Sequence, residues 1–156
     1  MTTIYAERAW RAFDRITLAD EIGTDPYWDQ AVFRSDCGTG CCYAGHLALD
    51  NGGAWLVNIR DNGDMFIDGT LVSDDDPGLE FAIWEYMLAE PDDPEDAIEE
   101  THGKQVVHVS YRAERLIGLA NVSHDLFYSN NTRADLERLI TRYIGPRPSN
   151  VGGNAN

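Results

Sequence analysis

The stretch Trp55-Leu56-Val57-Asn58-Ile59-Arg60-Asp61-Asn62-Gly63-Asp64-Met65-Phe66-Ile67-Asp68-Gly69-Thr70-Leu71-Val72 decides the fold class. Trp55, Val57 and Ile59 alternate with Leu56, Asn58 and Arg60, the two-residue period of a half-buried strand. Asn62-Gly63 precedes Met65-Phe66-Ile67, and Asp68-Gly69 precedes Thr70-Leu71-Val72. Such pairs close hairpins because both central positions favour positive φ. The spacing predicts a three-stranded antiparallel meander over 54–72, which a two-stranded hairpin alone would not stabilise in water.

Helical signals surround the meander. Upstream, Cys37-Gly38-Thr39-Gly40-Cys41-Cys42-Tyr43-Ala44-Gly45-His46-Leu47-Ala48-Leu49 offers Thr39 as an N-cap, and Gly52-Gly53 as a stop. Ala44, Gly45 and Ala48 leave one side of this short helix, near 40–50, bare enough for another backbone to approach, so it is expected to be buried and central. Thr3 can cap an amphipathic helix over 4–17, with Ala6, Ala9, Trp10, Phe13 and Ile16 on its apolar stripe. Tyr27, Trp28 and Phe33 read as core anchors.

Downstream, Gln105 to Val109 has strand character, Ser110 is placed to cap Tyr111 to Ile117, and Gly118 stops that helix. Ser123 is placed to cap a short turn through Leu126 and Phe127. Thr132-Arg133-Ala134-Asp135 resembles a capped helix start, followed by Leu136, Leu139, Ile140, Tyr143 and Ile144 at helical spacing, and Gly145-Pro146 ends it. The sum is an α+β fold in a single domain, 1–146: a central short helix, the meander and a helical C-terminal part. The polar tail, 147–156, is expected to be mobile.

Charge is distributed unevenly. Net charge is −15, yet Ser73 to Glu100 holds twelve acids and no Lys or Arg, so the rest of the chain is close to balance. This stretch, 73–100, reads as an acidic elaboration. Within it, Leu79 to Ala89 is broken only by Glu80 and Glu85, which predicts a helix apolar over most of its circumference. Glu90-Pro91-Asp92-Asp93-Pro94-Glu95-Asp96 follows as an exposed acidic loop.

Such charge opposes direct nucleic-acid binding and attachment to anionic membranes, and favours a partner with a basic surface. The chain has no run of the roughly 20 apolar residues that a membrane helix needs, and its N-terminus lacks a basic region followed by an apolar one. With three cysteines packed into six residues, the composition fits a reducing cytoplasm.

Cys37, Cys42 and His46 form the other candidate cluster. Cys42 and His46 are four apart and share a helical face, and His102, His108 or His124 is available as a fourth ligand for zinc. No second cysteine pair completes a structural zinc pattern, so packing as small buried hydrophobes leads, ahead of a Cys37–Cys42 disulfide and ahead of metal. No cofactor is expected. Asp61, Asp64 and Asp68 lack the glycine and glutamate spacing of a calcium loop and read as turn residues.

Cys37-Gly38-Thr39-x-x-Cys42-x-Ala44-Gly45-His46 resembles the C-G-T-x-x-C-x-A-G motif of small, largely uncharacterised proteins of actinobacteria and their phages. Trp28-Asp29-Gln30 is similar to a segment that precedes that motif. Val107-His108-Val109-Ser110, Leu116-Ile117-Gly118-Leu119, Leu126-Phe127 and Asn131-Thr132-x-x-Asp135-Leu136 are similar to segments that follow it. The resemblance covers roughly 27–52 and 106–144 and supplies no activity to carry over.

Three functions are consistent with these features. The first is a non-enzymatic interaction protein, phage-encoded, that binds and modulates a host protein in the host cytosol. Its contacts would come from Trp84, Tyr86, Asp92, Asp93, Glu95 and Asp96. The second is a small metal-binding or thiol-redox protein or enzyme built on Cys37, Cys42 and His46. The third is a nucleic-acid mimic whose carboxylates occupy the groove of a DNA-binding protein.

Overall fold

The computed structural model describes residues 3–35, 40–72, 83–121 and 125–148. In chain order, α1 (Ile4–Ile22), β1 (Tyr27–Trp28), β2 (Gly40–Cys41) and α2 (Tyr43–Asp50) form the first half, followed by β3 (Asn58–Ile59), β4 (Met65–Ile67) and β5 (Thr70–Val72). Then come β6 (Tyr86–Leu88), β7 (Glu99–Thr101), β8 (Lys104–His108), α3 (Val109–Ile117) and α4 (Arg133–Tyr143). The fold is α+β, with the antiparallel meander β3-β4-β5 in place.

The meander's two turns differ. Asp68 and Gly69 both have positive φ, 50° and 80°, and join β4 to β5 as a two-residue hairpin of the expected kind. At the first turn only Gly63 is left-handed, with φ 89°. The Gly63 amide donates to the Arg60 carbonyl and the Arg60 amide to the Asp64 carbonyl, a longer turn with glycine in its last position. Asn62 instead accepts the Asp64 amide through its side chain. Asp64 and Asp68 therefore lie at turns, as their spacing implied.

Helix α1 starts where expected, with Thr3 Oγ1 accepting the Ala6 amide, and runs five residues beyond the expected end to a left-handed Gly23. Thr132 and Asp135 form a reciprocal capping box at α4. Helix α2 begins at Tyr43 with Cys42 as its N-cap, later than expected, because Gly40–Cys41 pairs in parallel with Tyr27–Trp28. Its residues Tyr43 to Ala48 are all buried, so the helix is central. Thr39, Cys37 and Ser123 lie outside the described residues. His108, not Ser110, caps α3: its Nδ1 accepts the Ser110 amide at 3.1 Å.

Of the apolar run 79–89, residues 79–82 lie outside the described residues, and the rest is not α-helical. Ile83–Glu85 is a single 3₁₀ turn, and Tyr86–Leu88 is strand β6, antiparallel to β8. On its other side the Leu56 amide donates to the Tyr86 carbonyl and the Leu88 amide to the Ala54 carbonyl. A strand with neighbours on both edges and apolar packing on both faces gives a continuous hydrophobic run that periodicity does not separate from a buried helix.

Two large apolar clusters result. One gathers Trp10, Phe13 and Ile16 of α1, Tyr43 and Leu47 of α2, and residues of α3 and α4; the other gathers Leu56, Val57, Ile67, Val72, Ile83, Tyr86 and Val106. A third, small cluster of Ala48, Met87 and Val109 ties α2 and the start of α3 to β6. At the C-terminal end Arg147 pairs with Asp14 at 2.8 Å and lies over the Trp10 ring. The expected tail beyond residue 148 lies outside the described residues.

Candidate interaction surface

The loop after β6 is built around Asp93. This carboxylate, expected at the surface, is buried, with none of its side chain exposed. Arg112, whose side chain is 1% exposed, donates from Nε to Oδ1 at 2.9 Å and from Nη2 to Oδ2 at 2.6 Å. The same Nη2 reaches the Leu88 carbonyl, and Arg115 Nε adds a bond to Oδ1 at 3.1 Å. Asp93 Oδ2 also accepts the Glu90 amide at 2.7 Å, closing the loop on itself. Glu90 bridges the same two arginines, at 3.2 Å to Arg112 and 2.8 Å to Arg115.

Desolvation pushes the Asp93 carboxyl up, but the Arg112 bonds, the Glu90 amide and both guanidinium charges more than reverse it, and its pKa lies below the usual carboxylate value. A buried pair of this kind contributes little against an apolar pair of the same shape, yet breaking it by removing one partner costs about 3–5 kcal/mol. Its effect is geometric: the loop is held to the α3 face that carries Arg112 and Arg115, three residues apart.

Asp92, Glu95, Asp96, Glu99 and Glu100 are exposed on the loop and on β7, and the Asp92 side chain is 88% exposed. Tyr86, expected as a contact residue, is 8% exposed and belongs to the sheet cluster. Burial and a hydrogen bond to Glu99 push its phenol up to about 12. Tyr86 and Asp93 therefore leave the set of surface contacts, whereas Asp92, Glu95 and Asp96 remain in it. Trp84 is half-buried, and its carbonyl accepts from the buried Arg34, which stacks over Trp55.

Grooves flank the loop on both sides. One, of about 530 Å³, lies between the loop and the C-terminal half of α3, where Tyr111, Glu114 and Leu119 face Pro94, Asp96 and Ala97. The other, of about 520 Å³, is lined by Glu90, Pro91, Glu95, Ile98 and Gln105, among others.

Cys37, Gly38 and Thr39 lie outside the described residues, and the described residues on either side of them, 28–35 and 40–46, serve as a scaffold. Gln30 Oε1 accepts both Trp28 Nε1 and the Tyr43 amide at the start of α2, while its Nε2 donates to the Tyr128 carbonyl. A Cβ added to Gly45 would sit 2.6 Å from Cys41 Cβ and 3.1 Å from the Phe33 carbonyl, so the close backbone approach expected at this helix is real. Burial pushes the Cys42 thiol up to about 11, and Cys41 further still. Both are free thiols, protonated at neutral pH, which disfavours nucleophilic or redox chemistry at either.

Desolvation lowers the His46 pKa to about 4. Its Nε2 lies 3.3 Å from the Tyr27 carbonyl, and Nδ1 has no hydrogen-bond partner among the described residues. No group of three His, Cys, Asp or Glu side chains placed to hold a metal occurs among the described residues, which do not include Cys37 or His124.

One constellation was not visible in the sequence. His108 Nε2 lies 2.9 Å from Glu85 Oε1, and Nδ1 lies 2.7 Å from Ser110 Oγ. Because Nδ1 accepts the Ser110 amide, the ring proton sits on Nε2 and points at the carboxylate. This is the order of a carboxylate–imidazole–hydroxyl relay. However, Ser110 is 9% exposed, and the imidazole is committed to capping α3 while edge-on to Phe33 and Tyr86. The arrangement fastens the 3₁₀ turn before β6 to the start of α3. Glu85 and His108 are 23 residues apart, and no local spacing announces the contact.

Compared with protein-family models, curated proteins and solved structures, the chain matches none. Among the described residues no helix is long and apolar enough to cross a membrane.

Proposed function

We propose that this chain is a non-enzymatic interaction protein that presents a fixed set of carboxylates to a partner protein with a basic surface. The observation that carries the reading is the sorting of acids around Asp93. Asp93 and Glu90 are answered by Arg112 and Arg115, while Asp92, Glu95 and Asp96 are exposed on a loop that this buried network holds in place, and Glu99 and Glu100 are exposed on β7 beside it. A preorganised loop loses little conformational freedom on binding, and localised charge raises the rate of encounter with an oppositely charged surface. The resemblance of the Cys-Gly-Thr segment to small proteins of actinobacteria and their phages is consistent with a phage-encoded chain whose partner is a host protein.

The test is affinity capture from an actinobacterial lysate with the native chain and with a D92N/E95Q/D96N/E99Q/E100Q variant, followed by binding kinetics on each captured protein. Point neutralisation is the right perturbation, because deleting 73–100 would remove β6 from the sheet. The expected result is a basic protein retained by the native chain, lost by the variant and released as salt rises. Identical capture by both chains would remove the acidic surface from the account. Capture of a DNA-binding protein in competition with DNA would narrow the function to nucleic-acid mimicry.

A further inference from the structure

We propose that β7 is a docking edge to which an extended basic segment of the partner adds as a further strand, a statement that rests on the interaction reading above and makes it more specific. The sheet runs β6-β8-β7. The outer edge of β6 is taken by residues 54–56, through the Leu56 amide on the Tyr86 carbonyl and the Leu88 amide on the Ala54 carbonyl. β8 lies between two strands, so β7 is the open edge among the described residues.

The register decides which groups that edge presents. Thr101 and Lys104 face each other across the two-residue turn His102-Gly103. A turn of this length is closed by a pair that exchanges both backbone hydrogen bonds, and the next pair along an antiparallel ladder exchanges none. That next pair is Glu100 and Gln105. Gln105 directs its carbonyl away from β7, to the Ala89 amide at 2.9 Å, and Glu100 directs its amide and carbonyl the opposite way, to the open edge. Ile98, extended at φ −79° and ψ 131°, lies two residues back and places its carbonyl on the same edge. No hydrogen bond among the described residues occupies these groups, and such a row is a template for another chain.

The side chains select the occupant. Glu99 is already engaged, by a hydrogen bond with Tyr86. Glu100 lies on the opposite face of the strand and is exposed. A second copy of this chain pairing edge to edge about Glu100 would set two glutamates directly opposite each other, which is destabilising. A lysine or arginine in that position turns the same pair into a favourable one. The carboxylate that blocks self-pairing thus admits a basic strand.

The experiment is an NMR titration of the full chain with the blocked peptide Ac-Thr-Lys-Val-Lys-Thr-NH₂. Its control is the same peptide N-methylated at the three central amides, with equal charge and at equal ionic strength. The parent peptide should shift the amide signals of Ile98 to Thr101 in a saturable way and slow hydrogen exchange at the Glu100 amide about tenfold, because that amide gains an acceptor. The N-methylated peptide should do neither. E100Q should weaken the parent peptide about two- to fivefold, the range of a cross-strand charge pair.

Equal binding of the two peptides overturns strand addition, as do unchanged exchange at Glu100, equal affinity for E100Q and the native chain, or no binding at all. Exchange at Glu100 that slows with protein concentration alone would place a second copy on the edge and overturn it too. The two proposals fail separately. If both peptides bind alike and a D92N/E95Q/D96N variant loses both, the acidic surface stands and strand addition falls. If the parent peptide pairs with β7 but no captured protein depends on the exposed acids, the docking edge stands and the interaction reading falls.

Discussion

The Trp28–Gly45 region and the Glu85–Glu100 region are both dense in polar residues, but they use them in opposite ways. In the first, the described polar side chains of Gln30, Arg34, Ser35 and Tyr43 are turned inward, and Gln30 alone joins Trp28, the start of α2 and the Tyr128 carbonyl. In the second, like charges are separated by folding into an interior set and an exterior set. Asp92 and Asp93 are neighbours with the same chemistry, yet one is 88% exposed and the other not at all. A motif dense in reactive residue types can thus be scaffolding, and a run of acids can hold its own internal anchor. What decides is the base that folding brings to each carboxylate.

The sharpest way to break that contrast is at Asp93. D93A should destabilise the protein by about 3–5 kcal/mol, because Arg112 would remain buried with both bonds to Asp93 lost and only the partly exposed Glu90 to answer its charge. Chemical denaturation would measure it. The pKa of Asp93 is lowered in the folded state, so the stability it contributes is present above the unfolded value of about 3.9 and is lost as pH falls below it. D93N should accordingly flatten the acid limb of the stability profile. A D93A loss below about 1 kcal/mol would mean that the loop is not anchored as described.

A second effect tests the inward-facing region. His46 is neutral in the fold, with a pKa of about 4 against an unfolded value of about 6.5. Between those values the unfolded chain binds the proton and the folded chain does not. Stability is therefore fully present above about 6.5 and declines by roughly 3 kcal/mol as pH falls toward 4. Denaturation at several pH values should show this slope in the native chain and lose it in H46Q. An NMR titration in which His46 protonates near its ordinary pKa would refute it.

Gly45→Ala should cost about 1–3 kcal/mol, because the added methyl group meets Cys41 and the Phe33 carbonyl in a packed interior. A neutral outcome in thermal melting would show that α2 can shift away from its neighbours. The smallest effect belongs to the outward set. Neutralising Asp92, Glu95 and Glu100 should change stability by no more than about 0.5 kcal/mol, because the one ion pair they make among the described residues, Asp92 to Arg115 at 3.9 Å, is solvent-exposed. On the proposed reading it should also flatten the salt dependence of association, and a large stability change would mean that these acids are anchored in the fold.

The helical half was legible because each signal was local. Thr3, Gly118, Thr132 and Asp135 do at their own positions what their side chains or φ preferences favour. The meander was legible for the same reason, although Asn62 kept negative φ and helped its turn through a side chain instead. The hairpin joining β7 to β8 was overlooked, yet its signal was present: His102-Gly103 is a two-residue turn with φ 54° and 74°, the same device as Asp68-Gly69 with a less familiar first residue.

The acidic half was less legible because its decisive contacts are long-range. The Leu79–Ala89 run has the composition of either a buried helix or a doubly flanked strand, and for Tyr86–Leu88 only pairing with β8 and with residues 54–56 distinguishes them. Arg112 and Arg115 sit three apart on one helical face, a hint that some acid must answer them, but nothing local selects Asp93 over Asp92.

Because β6 carries Met87 into the cluster that joins α2 to α3, the acidic loop is rooted in the interior. That rooting sets the terms on which the surface can change over generations. Substitutions at 95 and 96 alter the charge that the loop presents without touching the network at Asp93 that positions it. The outward charge can therefore change quickly at these positions, while Met87, Asp93, Arg112 and Arg115 are held under a separate and stricter constraint.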